Sequence, residues 1–513
     1  MTTAHPVSPA PSALTVRGAP YADVRETHSG VVFLVGDRAY KLKKPVDLGF
    51  LDFSTRELRL RACQREVRLN RQFAPDVYLG VADIIGPDGD PEDHMVVMRR
   101  MPDHLRLSTL VRRGTGVDEP LRAVARNMAA FHATALRNAE ISRDGGRDAL
   151  RDRWCDSFTE IRPFIGEVLP ATTAEAIERL TLAYLNGRAD LFAERVTSGA
   201  IVDGHGDLLA DDIFCLADGP RILDCLEFDD ALRHLDKVDD VACLAMDLEH
   251  IGNPLLAARF LAWYVEFSNE NVPTSLTHHY LAYRAFVRTK VSCLRHAQGA
   301  LGAAGEARWL ANITERHLEQ AAVKLVLVGG APGTGKSTLA GGLADRLGMS
   351  VLSSDRIRKE LAGISPTVSA AAPLEEGIYG PDHTQHTYEE LEHRATKLLR
   401  MGESVVIDAT WSDPRQRQLA EKLADTCVAD LVQLRCELPI AEATSRIALR
   451  HNDMSDADST IAETLSLTFA DWPAASTIDT TEPTEVCLQR SAQIVRPSVG
   501  IAAATARPMM VPD

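Results

Sequence analysis

The stretch that most restricts the fold of this chain is Gly330-Ala331-Pro332-Gly333-Thr334-Gly335-Lys336-Ser337. An apolar run, 324–328, leads straight into it, and a helical pattern opens at Thr338 just behind it. Strand, glycine-rich turn and helix in that order form a P-loop. The glycines let successive backbone N–H groups turn inward around a β-phosphate. Lys336 is then placed to reach the β- and γ-phosphates, and Ser337 to hold Mg²⁺. Gly330, Ala331, Pro332, Gly333, Thr334, Gly335, Lys336, Ser337 and Thr338 are the candidate nucleotide-binding residues of this region.

The chain is too long for one hydrophobic core, at 513 residues, so more than one domain is expected. After 324, short apolar strands at 351–352 and 405–407 alternate with helical stretches, the pattern of a parallel sheet built from βαβ units. Before it the pattern differs. Residues 31–35 and 38–43 read as strands around the turn Gly36-Asp37. A charged helix is expected over 54–72 and a strand at 95–98. Mostly helical sequence runs from 121, interrupted by β segments at 200–202 and 221–223. The expected division is a loose lead-in over 1–24, a first domain over 25–318, a second over 319–495 and a tail over 496–513. The net charge of −16 argues against a general nucleic-acid binder. No apolar run approaches the ~18 residues of a membrane span. The start has neither a basic nor an apolar signal region, and the nine cysteines are scattered without metal-ligand spacing. A cytoplasmic protein with reduced thiols is expected.

Three features downstream of the loop bear on chemistry. Asp355 follows the second strand, where a carboxylate opens onto the ligand crevice and can accept a proton from a hydroxyl; a helix-capping role is the alternative. Arg358 is spaced to hold a phosphate or polar group. Asp408 ends a third apolar strand, where it either orders a Mg²⁺ shell or caps the sheet. Arg446 and Arg450 lie one helical turn apart and suit a lid over a transferring phosphate, or a solvated helix face. Together these residues resemble the P-loop kinases that include zeta toxins, gluconate-type kinases and 5′-hydroxyl polynucleotide kinases. That resemblance implies phosphorylation of a hydroxyl.

An unrelated set stands earlier in the chain. Phosphoryl transfer in kinase-like folds needs a strand lysine on the phosphates, a helix glutamate paired with it, a catalytic Asp and a metal-binding Asp. Lys41, Glu66, Asp207 (in His205-Gly206-Asp207-Leu208) and Asp224 fit in that order. Lys43 points to the same face of its strand as Lys41, and the sequence does not choose between them. Glu227 reads as an acceptor-site or metal carboxylate, or as a surface residue. With Phe131-His132-Ala133 and Asp240, this set resembles the aminoglycoside phosphotransferase and choline kinase family over about residues 25–300. The surroundings resemble a bacterial subgroup fused to P-loop domains. That family usually carries Asn five residues after the catalytic Asp, as a second metal ligand. Here the position is Asp212, still a hard oxygen donor.

The expected fold class is α/β and α+β in two domains: a bilobal protein-kinase-like fold, then a parallel-sheet αβα domain. The expected function is ATP- and Mg²⁺-dependent transfer of a phosphoryl group to small-molecule hydroxyls. Catalysis would rest on Asp207, Lys41, Asp355, Arg446 and Arg450. Glu66 would support the nucleotide, and Asp212, Asp224, Ser337 and Asp408 the metal. The alternatives are a nucleotide-sensing regulator with one silent domain, and a kinase of nucleic-acid 5′-hydroxyl ends.

Overall fold

Five strands, β1 (Ala22–Glu26), β2 (Gly30–Val35), β3 (Arg38–Lys43), β4 (Tyr78–Ile85) and β5 (Pro91–Arg99), form an antiparallel sheet in the order β1-β2-β3-β5-β4. The computed structural model describes residues 21–26, 29–47, 51–365, 376–448 and 459–496. Gly36, with φ 56°, takes the left-handed conformation that the two-residue loop between β2 and β3 demands. The strand β1 begins inside the segment expected as a loose lead-in. The helix Arg56–Asn70, capped by the Thr55 side chain, packs Cys63 and Val67 onto Val77, Tyr78 and Val96 of the sheet.

Four short strands follow in two antiparallel pairs. β6 (Ile201–Asp203) pairs with β9 (His234–Asp236), and β7 (Ile213–Leu216) with β8 (Gly219–Ile222). The turns between them carry Asp207, Asp212 and Asp224. The helix Lys237–His250 is buried along most of its length and lies directly after β9.

The second sheet is parallel throughout. Its strands are β10 (Lys324–Gly329), β11 (Ser350–Ser353), β12 (Val405–Asp408), β13 (Asp430–Glu437) and β14 (Ser476–Asp479), in the order β11-β12-β10-β13-β14. Val326, Leu327 and Val328 of the central strand are fully buried, as expected where helices cover both faces. Among the described residues no helix is long and apolar enough to cross a membrane.

The chain divides into two compact units, Met1–Gly145 with Ile201–Glu270, and Gly146–Ala200 with Asn271–Asp513. The position expected as a boundary, 318/319, therefore falls inside the second unit. Helices Arg147–Ile161, Ala171–Gly187, Thr274–Ala297 and Ala303–Ala321 belong with the parallel sheet. Arg188 shows why. Its buried guanidinium donates to Leu399 O, to Cys427 O at 3.0 Å and to Val428 O at 2.8 Å. These are terminal carbonyls of the helices Pro381–Arg400 and Pro414–Cys427. One cation thus satisfies the orphan carbonyls and the negative dipole ends of two helices. Nearby, Ser275 Oγ donates to Gly402 O at 2.7 Å.

His279 lies in the same helical layer. It is fully buried, stacked on Tyr184 at 4.5 Å and beside Trp154, and neither ring nitrogen has a hydrogen-bond partner. Burial pushes its pKa down to about 3.

Two stability predictions follow from this layer. Arg188→Met strands several buried carbonyls and should destabilise the second unit by about 3 kcal/mol, read from urea unfolding. Below about pH 6.5 the unfolded chain takes up a proton that folded His279 refuses. Stability should therefore fall by about 1.4 kcal/mol per pH unit as pH drops from 6.5 toward 3. His279→Phe should remove that part of the slope in unfolding curves taken at several pH values.

Candidate functional site

In the first unit, the sheet and the turns after β6 and β8 bring the expected residues together. Lys41 Nζ lies 2.8 Å from Asp224 Oδ1 and 2.9 Å from Glu66 Oε1. Lys43 Nζ lies 2.8 Å from Glu66 Oε2 and 2.6 Å from Glu227 Oε1. The two lysines that parity leaves equivalent differ in their partners. Lys41 is the lysine that meets Asp224, while Lys43 is 2% exposed and faces the ring of Phe53.

The electrostatics follow from this packing. Burial would lower both lysines, but the carboxylates outweigh it: Asp224, Glu66 and Glu227 hold Lys41 well above the usual lysine range, and Glu66 and Glu227 raise Lys43. Burial would raise Glu66, yet the two ammonium groups bring it below the ordinary range. Lys41 likewise lowers Asp224 against the effect of burial. Asp212 behaves in the opposite way. Burial, then the charges of Asp224 and Asp207, push its carboxyl well above the ordinary range, against the weaker pull of Arg106 and Lys41. Its neighbour Asp211 is turned away, receiving the Ser108 hydroxyl.

Backbone anchors hold these groups in place. Asp224 has φ 63°, an unusual left-handed conformation for a non-glycine residue. Its N–H donates to the Tyr78 hydroxyl at 3.1 Å, and the next N–H, of Cys225, donates to Asn70 Oδ1 at 2.9 Å. The turn bearing Asp207 hangs on Asp240, which is fully buried and accepts from His205 N at 2.7 Å and Gly206 N at 2.9 Å. Asp240 also accepts from His132 Nε2 at 3.0 Å, leaving Nδ1 to accept from the Tyr264 hydroxyl at 2.8 Å. His205 donates from Nε2 to Leu223 O at 3.1 Å, and burial lowers its pKa. It ties one turn to the other rather than facing a substrate. Asn70 and Tyr78 went unnoticed in the sequence because a buried Asn at a helix end and a Tyr at a strand start carry no motif.

In the second unit, the carboxyl edge of the sheet gathers the expected residues. Asp408 pairs with Val328 of β10 on one side and with Ser353 of β11 on the other. The loop 330–337 leaves β10, and Asp355 occupies the first turn of the helix Ser354–Leu361 after β11. Gly330 N donates to Thr410 O at 3.1 Å. Thr334 Oγ1 and Lys336 Nζ donate to Ala331 O, at 2.8 and 3.0 Å. Ser337 and Thr338 are exposed at the start of the helix Lys336–Leu347. At two of its glycines the loop is too tight for a side chain. A Cβ on Gly330 would meet Cys436 O at 2.5 Å, and one on Gly333 would meet Ala443 O at 2.7 Å. The helix Ile440–Ala448 therefore lies on the loop. Its Arg446 comes near Gly335 and donates to Thr480 O at 2.8 Å. Arg450 lies outside the described residues. Arg358 is buried, donates from Nη1 to Ile378 O and Thr384 Oγ1 at 3.0 Å each, and stacks over Tyr379. It anchors the segment before the helix Pro381–Arg400.

Among the described residues no group of three or more His, Cys, Asp or Glu side chains is disposed to hold a metal ion. The donors nonetheless suit Mg²⁺, which binds through one or two carboxylates completed by phosphate oxygens and water. Asp212 and Asp224 are two such oxygen donors. A carboxyl raised by burial and by the like charges around it is one that a dication would help to ionise.

A family profile described as an AAA domain matches residues 325–469. The proteins Rv2004c of Mycobacterium tuberculosis and Mb2027c of Mycobacterium bovis are each 43% identical over 480 residues, covering 94% of this chain and 96% of the relative. Among solved structures, a choline/ethanolamine kinase family protein from Mesorhizobium loti covers 59% of this chain and 92% of its own, at 14% identity and a TM-score of 0.37. A gluconokinase from Sinorhizobium meliloti covers 33% and 94%, at 19% identity and a TM-score of 0.24.

Asp240 generates a prediction of its own. Its carboxyl is held well below the ordinary range: burial opposes this, but the hydrogen bond from His132 and the N–H of His205 prevail. The stabilisation is therefore complete above the ordinary carboxylate pKa of about 4 and is lost as pH falls below it. Asp240→Asn should lower stability at pH 7 by about 2 kcal/mol or more and flatten this acid limb in pH-dependent unfolding.

Proposed function

The chain belongs to the family of the mycobacterial proteins Rv2004c and Mb2027c, and we propose that it is an ATP-dependent phosphotransferase acting on small-molecule hydroxyls, with a second ATP site at the P-loop. The observation that carries this reading is the ion-paired set Lys41–Glu66–Asp224 beside Asp207, with an intact phosphate loop in the other unit.

In the first unit, Lys41 turns from Asp224 to the phosphates of ATP, and Glu66 keeps its ammonium aimed. Asp207, on the turn that Asp240 fixes, orients the acceptor hydroxyl and takes its proton. Asp212 and Asp224 are the residues that would hold Mg²⁺, whose chemistry is to neutralise the charge of the phosphates. In the second unit, Lys336 leaves Ala331 O for the β- and γ-phosphates, and the loop N–H groups and the helix start receive the β-phosphate. Ser337 and Asp408 would support the metal. Asp355 serves as base, and Arg446, with Arg450, closes over the transferring group. In both units catalysis is mostly positioning and charge compensation.

The test is ATP consumption with a metabolite extract, with phosphorylated products identified by mass spectrometry. Lys336→Ala and Asp207→Ala should each remove part of the turnover, by about 100-fold or more at the affected site, and the double variant should remove both parts. Turnover equal to wild type in both single variants would sink the reading.

A further inference from the structure

Lys43 and Glu227 form an ion pair that the proposed chemistry leaves unused. Lys43 stands two residues beyond Lys41 on the same face of β3, and Glu227 stands three residues beyond Asp224. The result is two parallel rungs from strand to turn: Lys41–Asp224 at 2.8 Å and Lys43–Glu227 at 2.6 Å. Glu66 joins them, with one oxygen on each lysine. Lys43 is 2% exposed, sits against Phe53 and cannot reach a ligand. Between the rungs, Leu226 O accepts from Arg233 Nη1 at 2.9 Å.

We infer that Lys43 and Glu227 are positioning residues for the nucleotide site of the first unit: they hold Glu66 and the Asp224 turn in register once Lys41 is engaged by phosphate. The argument is one of partners. When Lys41 binds phosphate, the first rung opens and Asp224 is released. The second rung then becomes the side-chain tie between that turn and β3. Lys43 also remains on Glu66, so the carboxylate keeps a compensating charge and a fixed direction. Removing Lys43 would leave Glu66 and Glu227 facing one another with their shared cation gone, in a place where water is scarce. Removing the charge of Glu227 would leave Lys43 on Glu66 but free the turn.

This inference rests on the reading of the first unit as an ATP site, and the experiment separates the two. MgATP binding is measured by calorimetry on the full chain carrying Lys336→Ala, which weakens the P-loop site. Adding Lys41→Ala tests the underlying reading. If the parent shows no second, Lys41-dependent site, that reading falls and the inference falls with it. If the site is present, Lys43→Met and Glu227→Gln should each weaken MgATP by about 10- to 100-fold, as loss of an outer partner does. Glu227→Gln should also raise the Mg²⁺ concentration needed for half-maximal binding. The double variant Lys43→Met/Glu227→Leu replaces the buried pair by apolar side chains. It should recover the melting temperature without recovering affinity. Recovery of both would show a purely structural pair and overturn the inference, as would wild-type affinity in the single variants. Should Glu227→Gln fail to fold, Glu227→Asp keeps the charge but shortens its reach. Weakened MgATP in that folded variant supports the inference, and unchanged affinity refutes it.

Discussion

Glu66 is the residue on which the charged cluster of the first unit depends. It is fully buried, in the middle of a helix, where a lone carboxylate would be several kcal/mol too unfavourable to remain ionised. Two lysines from one strand keep it charged, and their own charges persist because Glu66, Asp224 and Glu227 surround them. Removing either lysine would leave these carboxylates short of a cation. The helix Arg56–Asn70, the strand β3 and the turn after β8 are therefore bound by electrostatics as well as by the apolar contact of Cys63 and Val67 with the sheet.

The two proposed sites would meet anionic phosphate in different ways. In the first, side chains provide the charges, and the backbone of each acidic turn is pinned by neutral or buried acceptors: Tyr78 and Asn70 for Asp224, Asp240 for Asp207. In the second, backbone N–H groups and a helix start would do most of the work, and side chains are excluded where the loop is packed tightest. Gly330 and Gly333 serve by lacking a Cβ, with carbonyls standing where one would be. The first arrangement is sensitive to charge changes, the second to volume.

Much of this was legible in the residues, for identifiable reasons. The β2–β3 hairpin shows itself by alternation around Gly36-Asp37, and the parallel sheet by apolar runs before a glycine loop and before Asp408. The strands β1, β13 and β14 are less visible because each mixes charged or hydroxyl residues into its run: Asp23 and Arg25, Arg435 and Glu437, Ser476 and Thr477. Lys41 and Lys43 are indistinguishable by parity and are separated only by which of them meets Asp224. Arg358 has the spacing of a phosphate ligand, but spacing does not reveal that its Nη1 donates to Ile378 O and Thr384 Oγ1. The grouping of residues 146–200 with the parallel sheet has no signature either. Arg188 binds carbonyl oxygens, and every residue has one.

That last contact has a consequence for how the chain is made. Arg188 and its carbonyl partners are separated by 211 to 240 residues. At about 5–20 residues per second, the helices around Arg188 leave the ribosome roughly 10–50 s before the segment that completes them. The intervening residues 201–270 supply the rest of the first unit, which can close meanwhile. Until the helix Thr274–Ala297 follows, Trp154, Tyr184 and Phe192 lack their ring partner His279, and a nascent chain at this stage offers an apolar surface to chaperones. The order of the sequence makes the P-loop half the last part of the protein to mature, although its helical layer is among the earlier parts to be synthesised.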